Sequence, residues 1–339
     1  MPSAQLASLL AAALKNRTDL ITRLHAEDTD SYRLFHGTAE GQPGLTIDRY
    51  GELLLIQTFH HSLAPEQLSE IESFYAKELP ALTPIYNDRS QKNSRIRNPL
   101  PAERQPFASQ PRTVRELGVR YRIQARHDGQ DPWLFLDMRA GRRHLMQNAA
   151  GRSLLNLFAY TCSVGTAAAV AGALAVTNTD FAESGLAVGR QNAELNTLGI
   201  SPVFIKSDAF PALRQLAGIG QPQFVRGKRM PSFPKLAPQQ FDIVLLDPPR
   251  YAKSPFGVVD LVNDYPAVFK PALLCTAEGG TLYCCNNVAA VDRDGWLAQL
   301  QRSATKAGRP IRAHEWITPE ADFPSPDNNP PLKIAALSV

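Results

Sequence analysis

The first third of the chain changes from helical to strand-like spacing of its apolar positions. Apolar residues recur at helical spacing over residues 4–26, which predicts a helix. Beyond it the apolar runs are short and are separated by Gly and Pro turn signals, which predicts strands. In chain order the predicted elements are strands at 34–37, 45–50 and 53–59, a helix at 65–79, a strand at 85–87 and a hairpin at 114–125. We therefore predict a helical segment over residues 1–30 and a small α+β domain over residues 31–128.

From residue 153 onward, apolar strand-like runs alternate with helical segments, which is typical of a parallel sheet covered by helices. The predicted strands are 153–158, 175–180, 203–206, 241–247, 280–286, 311–317 and 333–339. No room for a helix remains between the last two, so we expect them to pair antiparallel. The predicted fold class is α/β, with a Rossmann-like seven-stranded sheet whose last strand is antiparallel, in a domain over residues 129–339.

The 339 residues are enough for two domains, and their net charge of +4 is unevenly distributed. Residues 86–126 contain ten Lys or Arg and three acidic residues, and residues 218–240 contain four basic residues and no acid. The second segment is Pro-rich and long for a connection, which is typical of a binding loop or of disorder. Basic segments of this kind favour a polyanionic partner.

Four cysteines, Cys162, Cys275, Cys284 and Cys285, are too few for a disulfide framework and indicate a reducing compartment. No apolar run has the length of a membrane span, and no basic residue precedes Lys15 as a secretory signal would require. No His or Cys residues have metal-ligand spacing. We expect a cytoplasmic protein without a membrane partner or a metal site.

Three predicted strand ends carry residues suited to a nucleoside. The strand at 153–158 runs into a turn of small residues that includes Gly165, and such turns let backbone N–H groups approach a ligand. Asp180 ends the next strand, where a carboxylate can accept both ribose hydroxyls. Asp208 follows the third strand and can accept from an adenine amino group. Either acid alone is better explained as a helix cap or a solvated loop residue, but the three strand-end features together predict one adenosine-shaped crevice.

The segment Asp247-Pro-Pro-Arg-Tyr251 follows the apolar run 241–246. Two prolines after an acid fix a rigid extended turn, because each Pro restricts its own φ and the residue before it. The turn would present a carboxylate, free carbonyls and an aromatic ring. Those groups suit a flat heterocycle with hydrogen-bond donors, with Tyr251 stacking on its face.

Together these features resemble the bacterial large-subunit (23S) ribosomal RNA methyltransferases, a group with cytosine-C5 and guanine-N7 enzymes. The resemblance is carried by Phe135-Leu-Asp-Met-Arg139, Asn156-Leu-Phe-Ala-Tyr-Thr161, Asp180, Arg190-Gln-Asn-Ala-Glu-Leu-Asn196 and Asp247-Pro-Pro249, with an N-terminal match at 41–50. It implies the class I methyltransferase fold, S-adenosylmethionine (SAM) as cofactor and S-adenosylhomocysteine (SAH) as product. It also implies ribosomal RNA or an assembly intermediate as partner, with a homodimer as a candidate assembly. We expect the chain to lack the N-terminal PUA module of some members.

The expected site residues fall into three groups. For the cofactor they are Phe135, Asp137, Arg139, Asn156, Phe158, Ala159, Tyr160, Thr161, Gly165, Asp180, Phe181, Asp208, Ala209 and Asp247. For catalysis at the target base they are Asp247, Pro248, Pro249, Tyr251 and Asn287. For RNA they are Arg89, Lys92, Arg95, Arg97, Arg226, Lys228 and Arg229.

The methylated atom depends on the turn after the strand at 280–286. Methylation of pyrimidine carbon-5 needs a thiolate that adds to carbon-6, because that ring carbon is not nucleophilic by itself. By resemblance, the cytosine enzymes carry this cysteine in the turn where Asn286 and Asn287 stand here, and the Asn pair resembles the guanine-N7 enzymes. A thiolate from Cys284 or Cys285 remains the alternative.

Two other classes of function are compatible with the sequence. One is a methyltransferase of a protein or a small molecule, and the dedicated basic domain counts against it. The other is an idle RNA-binding protein on the same fold, and the intact Asp180, Asp208 and Asp247 count against it. The sequence therefore favours an RNA base methyltransferase.

Overall fold

The structure is a computed structural model, and it describes residues 3–90, 100–126, 131–225 and 228–339. The chain divides into two compact units. The first contains Met1–Arg139 together with the late segment Pro319–Pro326, and the second contains Ala140–Thr318 and Asp327–Val339. The first unit therefore includes the N-terminal helices, which the sequence analysis had treated as a separate segment over residues 1–30. It also includes residues 319–326, which the sequence analysis had placed in the domain over residues 129–339.

The N-terminal helical pattern forms two helices, α1 (Ser3–Asn16) and α2 (Thr18–Ala26). The single predicted helix was wrong because Arg17 interrupts it with a backbone φ of −101° and ψ of 0°. The buried Arg17 guanidinium donates to the Ala13 carbonyl at 2.9 Å and forms an ion pair with Glu40. Its side chain thus compensates for the break in the helical hydrogen bonds.

The rest of the first unit is built on a four-stranded sheet in the order β1-β2-β3-β4, with bounds Ser31–His36, Leu45–Tyr50, Leu53–Thr58 and Thr83–Asp88. Helix α3 (Pro65–Glu78) connects β3 to β4, which pair in parallel, and the other pairs are antiparallel. The short helix α4 (Gln105–Ser109) and the hairpin β5–β6 (Arg112–Glu116, Val119–Ile123) follow. One apolar core joins α1, α2 and α3 to the sheet.

The second unit contains a seven-stranded sheet in the order β16-β17-β15-β12-β7-β8-β9. These strands are β7 (Ser153–Leu157), β8 (Ala175–Asp180), β9 (Val203–Lys206), β12 (Phe241–Leu246), β15 (Thr276–Asn286), β16 (Ala313–Trp316) and β17 (Lys333–Ser338). Strand β17 pairs antiparallel with both neighbours, so it alone among the seven runs against the others. This topology confirms the predicted class I methyltransferase fold.

The helices of the second unit are α5 (Arg139–Asn148), α6 (Ser163–Val170), α7 (Glu183–Glu194), α8 (Ala209–Leu216), α9 (Pro266–Cys275) and α10 (Arg293–Lys306), and a 3-10 turn, Leu136–Met138, precedes α5. Two short hairpins, β10–β11 (Phe224–Val225, Lys228–Arg229) and β13–β14 (Tyr251–Ser254, Gly257–Asp260), complete the elements. The main apolar core lies between the sheet and the helices α8, α9 and α10. No helix in the described part of the chain is long and apolar enough to cross a membrane.

A buried cluster of charges stabilises the first unit. The Arg139 side chain is fully buried, and it donates to Asp322 at 2.5 Å and to the Ser31 carbonyl at 3.1 Å. Its Nε atom lies 3.1 Å from Glu320. Burial lowers the pKa of the guanidinium, but the charges of Asp322 and Glu320 outweigh that effect and the net shift is upward. The segment 319–326 is thus held in the first unit by ionic contacts.

Removal of this buried charge should destabilise the first unit more than an ordinary substitution does. We expect Arg139→Met to lower the free energy of unfolding by about 3–5 kcal/mol, because it leaves Asp322 buried without its cation. Urea denaturation of the full-length protein measures this loss. The double variant Arg139→Met/Asp322→Leu should recover part of it, and a loss below about 1 kcal/mol in the single variant would contradict the assignment.

Candidate active site

The carboxyl ends of four parallel strands form one row at an edge of the large sheet. The residues in register there are Leu246, Leu157, Thr179 and Ile205, on β12, β7, β8 and β9. Asp247 and Asp180 come next along β12 and β8, and Asp208 follows β9 by two residues. The structure thus brings the three carboxylates to one edge of one sheet, where open α/β folds bind their ligands.

The turn after β7 contains three non-glycine residues with left-handed backbone. Their φ angles are 56° at Phe158, 48° at Tyr160 and 57° at Cys162. Such conformations cost about 1–3 kcal/mol each and are maintained only where the surroundings impose them. Here the Ala159 N–H donates to the Thr179 carbonyl at 3.0 Å, and the Cys162 N–H donates to the Ala159 carbonyl at 2.7 Å. The turn is therefore preorganised against the neighbouring strand.

Asp180 also fixes this turn. One carboxylate oxygen accepts from the Tyr160 N–H at 2.8 Å, and the other accepts from the Ala182 N–H at 2.8 Å. Burial raises the pKa of the Asp180 carboxyl, while the backbone donors at Ala182 and Tyr160 act in the opposite direction. Each oxygen of an ionised carboxylate has a second acceptor site, so the side chain can still accept hydrogen bonds from a ligand.

Glycines let two helices approach the turn closely. A Cβ atom at Gly165 in α6 would lie 2.1 Å from Asn178 Oδ1, and one at Gly189 in α7 would lie 2.5 Å from Cys162 Sγ. A Cβ atom at Gly185 would lie 2.8 Å from the Tyr160 carbonyl. Gly165 was expected to approach the cofactor, and in the structure its immediate neighbour is Asn178 on β8.

Asparagines form a polar support beneath the turn that the sequence analysis did not identify. Asn192 in α7 is buried and donates to the Thr161 carbonyl at 2.9 Å. Asn156, an expected cofactor residue, is 2% exposed and donates to Asn178 at 2.9 Å, so it supports β8. The only available signal for Asn192 was its place in the 190–196 motif that carried the family resemblance.

A pocket of about 360 Å³ opens beside Asp208 and is lined by Phe181, Lys206, Ser207, Asp208, Ser232, Phe233, Pro234 and Phe256. Phe181 follows Asp180 directly, and its ring is 69% exposed. Asp208 caps α8 by accepting from the Phe210 N–H at 2.9 Å, and Ala209 is the first residue of that helix. The structure therefore brings two expected cofactor residues together, and the sequence analysis missed Phe233 and Phe256.

The Asp247-Pro-Pro-Arg turn connects β12 to the hairpin β13–β14. Asp247 is partly buried and Pro248 is buried, whereas Pro249 and Arg250 are exposed. Tyr251 begins β13, and its side chain is 61% exposed. The Arg250 carbonyl accepts from the Leu261 N–H at 3.1 Å, which closes the base of the hairpin. An aromatic ring is thus exposed four residues after the carboxylate, and its stacking on a base stays a prediction.

The end of β15 places its two asparagines in different environments. Asn286 is fully buried, and its side-chain oxygen accepts from the Val288 N–H at 3.0 Å. Asn287 is exposed. The buried Lys333 ammonium donates to the Val288 carbonyl at 3.0 Å and to the Pro330 carbonyl at 3.0 Å, so the turn is held from two sides.

Both cysteines of β15 are fully buried. Cys284 pairs with Leu246 of β12 and belongs to the main apolar core, and burial raises the pKa of its thiol well above the usual range. The Tyr265 hydroxyl donates to the Cys285 carbonyl at 3.0 Å. A thiol with a raised pKa stays protonated at neutral pH and is a poor nucleophile.

Most residues expected to contact RNA lie outside the described part of the chain. Lys92, Arg95, Arg97 and Arg226 are in this group. Lys228 and Arg229 form β11. Arg89 is partly buried with its guanidinium 5.0 Å from the centroid of the Phe59 ring, and burial lowers its pKa. Of the other basic residues of the segment, Arg104 forms an ion pair with Glu72, and Arg115 forms ion pairs with Asp28 and Asp30.

Three expected cofactor residues, Phe135, Asp137 and Arg139, belong to the first unit. The Phe135 side chain is 50% exposed. Burial lowers the pKa of Arg33, but the charge of Asp48 and, to a smaller extent, that of Asp137 raise it above its usual value. The Arg139 guanidinium is fully buried in its ion-pair cluster. The cofactor contacts of these three residues stay predictions.

The chemistry at the sheet edge suits adenosine. An adenine base can stack on an exposed aromatic ring while its amino group donates to a neighbouring carboxylate. The two ribose hydroxyls can donate to a carboxylate that has unused acceptor sites. Phe181 and Asp208 provide the first pair of groups, and Asp180 provides the second. Within the described ranges, no group of three or more His, Cys, Asp and Glu residues could hold a metal ion. The fold and the site define a Rossmann-like enzyme for an adenosine-containing cofactor.

Comparisons with known proteins agree with this class. The family model for S-adenosylmethionine-dependent methyltransferases matches residues 32–337, so the chain belongs to that family and is a SAM-dependent methyltransferase. Ribosomal RNA large subunit methyltransferase I of Aeromonas salmonicida is 28% identical over 322 residues, 93% of this chain and 74% of the relative.

Two solved structures have the same fold. A protein named SMU.776, described as a methyltransferase and complexed with SAH, has a TM-score of 0.78 at 22% identity over 100% of this chain and 82% of the other. A Streptococcus mutans protein described as SAM-dependent has a TM-score of 0.77 at the same identity and coverage.

The close approach of α6 to β8 gives a test of the site's architecture. Ala is normally favoured over Gly inside a helix, but Gly165→Ala places a Cβ atom 2.1 Å from Asn178 Oδ1. We expect a loss of about 1–3 kcal/mol in the free energy of unfolding, measured by urea denaturation. Gly199→Ala is the matched control, since a Cβ atom there has no neighbour within 4 Å. Equal stability of the two variants would show that the packing is looser than described.

Proposed function

We propose that this SAM-dependent methyltransferase methylates a base of 23S ribosomal RNA, with N7 of a guanine as the acceptor. The observation that carries the proposal is the single sheet edge at which the strained turn, Asp180, Asp208 and the Asp247-Pro-Pro-Arg turn meet. The name of the Aeromonas salmonicida relative supports the RNA class. A ribosomal RNA substrate implies a cytoplasmic location.

Each group at the edge has a role in binding or positioning. The bound cofactor supplies an electrophilic methyl group on a sulfonium centre. Asp180 accepts the ribose hydroxyls, Asp208 accepts the adenine amino group, and Phe181 packs on the adenine face. The carbonyls of the Asp247-Pro-Pro-Arg turn accept from the exocyclic amino group of the target base, and Tyr251 stacks on it. The chain contributes alignment, because a near-attack geometry lowers the barrier without covalent catalysis.

The surroundings of the β15 cysteines support N7 over carbon-5. Carbon-5 methylation requires a thiolate that reaches the target ring, and both thiols are fully buried within the strand. The exposed Asn287 stands at the turn instead, on a backbone held by Asn286 and Lys333. Guanine N7 already carries a lone pair, so an amide that orients the base is sufficient.

Carbon-5 of cytosine is the second candidate acceptor, and one feature favours it. Cys285 is the next residue after Cys284 along β15, so it faces the opposite side of the sheet and is not a member of the main apolar core. A small change in the strand end would be needed to expose its thiol. We rank this acceptor below N7 for that reason.

Cofactor binding tests the role of Asp180. We expect Asp180→Ala to weaken SAH binding at least about 100-fold in isothermal titration calorimetry, because two hydrogen bonds to a charged acceptor are lost. Asp294→Asn is the matched control, since the Asp294 side chain is 82% exposed at the start of α10. Wild-type protein that does not bind SAH, or an Asp180→Ala variant that binds it equally well, would refute the proposed site.

The identity of the acceptor atom is tested by cysteine replacement. Because no thiolate takes part at N7, Cys284→Ser and Cys285→Ser should keep methyl transfer to 23S RNA within about threefold, whereas Asn287→Ala should lower it about 10-fold or more. Mass spectrometry of nucleosides should detect 7-methylguanosine in the product and its loss from a deletion strain. If Cys285→Ser folds but is inactive and the lost nucleoside is 5-methylcytidine, the second candidate is correct.

A further inference from the structure

The basic insertion at 218–240 forms part of the pocket wall. Its residues Ser232, Phe233 and Pro234 line the same pocket as Phe181 and Asp208. With a volume of about 360 Å³, the pocket is at the lower end of the range for ligand pockets, so it suits a nucleoside rather than a dinucleotide. The insertion is therefore placed to contact the cofactor as well as any RNA.

A buried glutamine attaches the insertion to the site. Gln215 lies in α8, the helix that Asp208 caps, and its side chain is 8% exposed. Its amide nitrogen donates to the Pro234 carbonyl at 3.0 Å, and its oxygen accepts from the Leu236 N–H at 3.3 Å. One side chain thus satisfies a carbonyl and an N–H of the insertion and fixes the backbone that flanks Pro234.

The hairpin β13–β14 contributes the neighbouring part of the wall. The Phe233 and Phe256 rings meet edge to face with centroids 5.8 Å apart and planes at 86°. Lys235 Nζ lies 4.6 Å from the centroid of the Phe233 ring. The hairpin tip packs closely on α8, because a Cβ atom at Gly257 would lie 2.7 Å from the Phe210 ring. Both aromatic residues are therefore held against elements of the cofactor site.

We propose that the insertion completes the adenine side of the cofactor pocket, with Phe233 as an apolar wall for the base and Gln215 as the residue that positions it. This inference rests on the proposed function, since it takes the pocket at Asp208 as the adenine site. The wall of Phe181, Phe233 and Phe256 excludes water around the base, while Asp208 supplies the acceptor for its amino group. The insertion is also basic, as an RNA-binding loop would be. The same segment would then contact both the cofactor and the RNA.

Ligand-binding measurements on the full chain test this inference. The probes are SAH and 5′-methylthioadenosine, which keeps the adenosine part and lacks the amino-acid part. We expect Phe233→Ala to weaken both probes by a similar factor of about 10, because a packing contact with the base is lost. Gln215→Ala should weaken both in the same direction through loss of positioning. The matched control is Phe224→Ala, because Phe224 is in the same insertion, is 61% exposed and does not line the pocket.

The possible results separate this inference from the proposed function. Wild-type protein that binds neither probe would refute the proposed site and the inference together. If the wild type binds both and Phe233→Ala binds them equally well, only the inference fails. A loss confined to SAH would also overturn it, because Phe233 would then act on the amino-acid part. Should Phe233→Ala not fold, Phe233→Leu and Gln215→Ala decide by the same criteria, with weakening of both probes as the supporting result.

Discussion

The Asp180 carboxylate is the contact on which the geometry of the site depends. By accepting from the Tyr160 and Ala182 N–H groups, it connects the turn after β7 to the end of β8. It thereby holds a backbone with three left-handed non-glycine residues, which would relax without such contacts. The same side chain is the proposed ribose acceptor. Under the proposed function, this one side chain both supports the turn and binds the ribose.

Much of the fold follows from local patterns. Strands β8 and β9 have the predicted bounds, because short apolar runs flanked by turn residues determine where a strand starts and ends. Once the strands are parallel, their carboxyl ends share an edge, so the placement of Asp180 and Asp208 was also predictable. By contrast, Phe233 and Phe256 meet through tertiary packing between a loop and a hairpin. The break at Arg17 was missed because a side chain replaces the helical hydrogen bonds.

The environments of the residues at the end of β15 show which of them are buried, and the sequence alone does not show this. Asn286 and Asn287 are adjacent, yet one is buried and bonded to the Val288 N–H while the other is exposed. Cys284 and Cys285 are also adjacent and are both buried, yet alternation along the strand places them on opposite sides of the sheet. A motif of residue types cannot specify which member of such a pair reaches a ligand, since that depends on where the strand ends.

The contact between Arg139 and Asp322 also has a consequence for biosynthesis. The first unit requires residues 319–326, which are separated from the rest of that unit by about 180 residues of the second unit, 140–318. During translation the Arg139 guanidinium has no access to Asp322 until residues 140–318 and Asp322 itself have emerged from the ribosome. Until then the first unit cannot bury Arg139 together with its acidic partners, so its folding is completed only after residues 140–318 of the second unit have been synthesised.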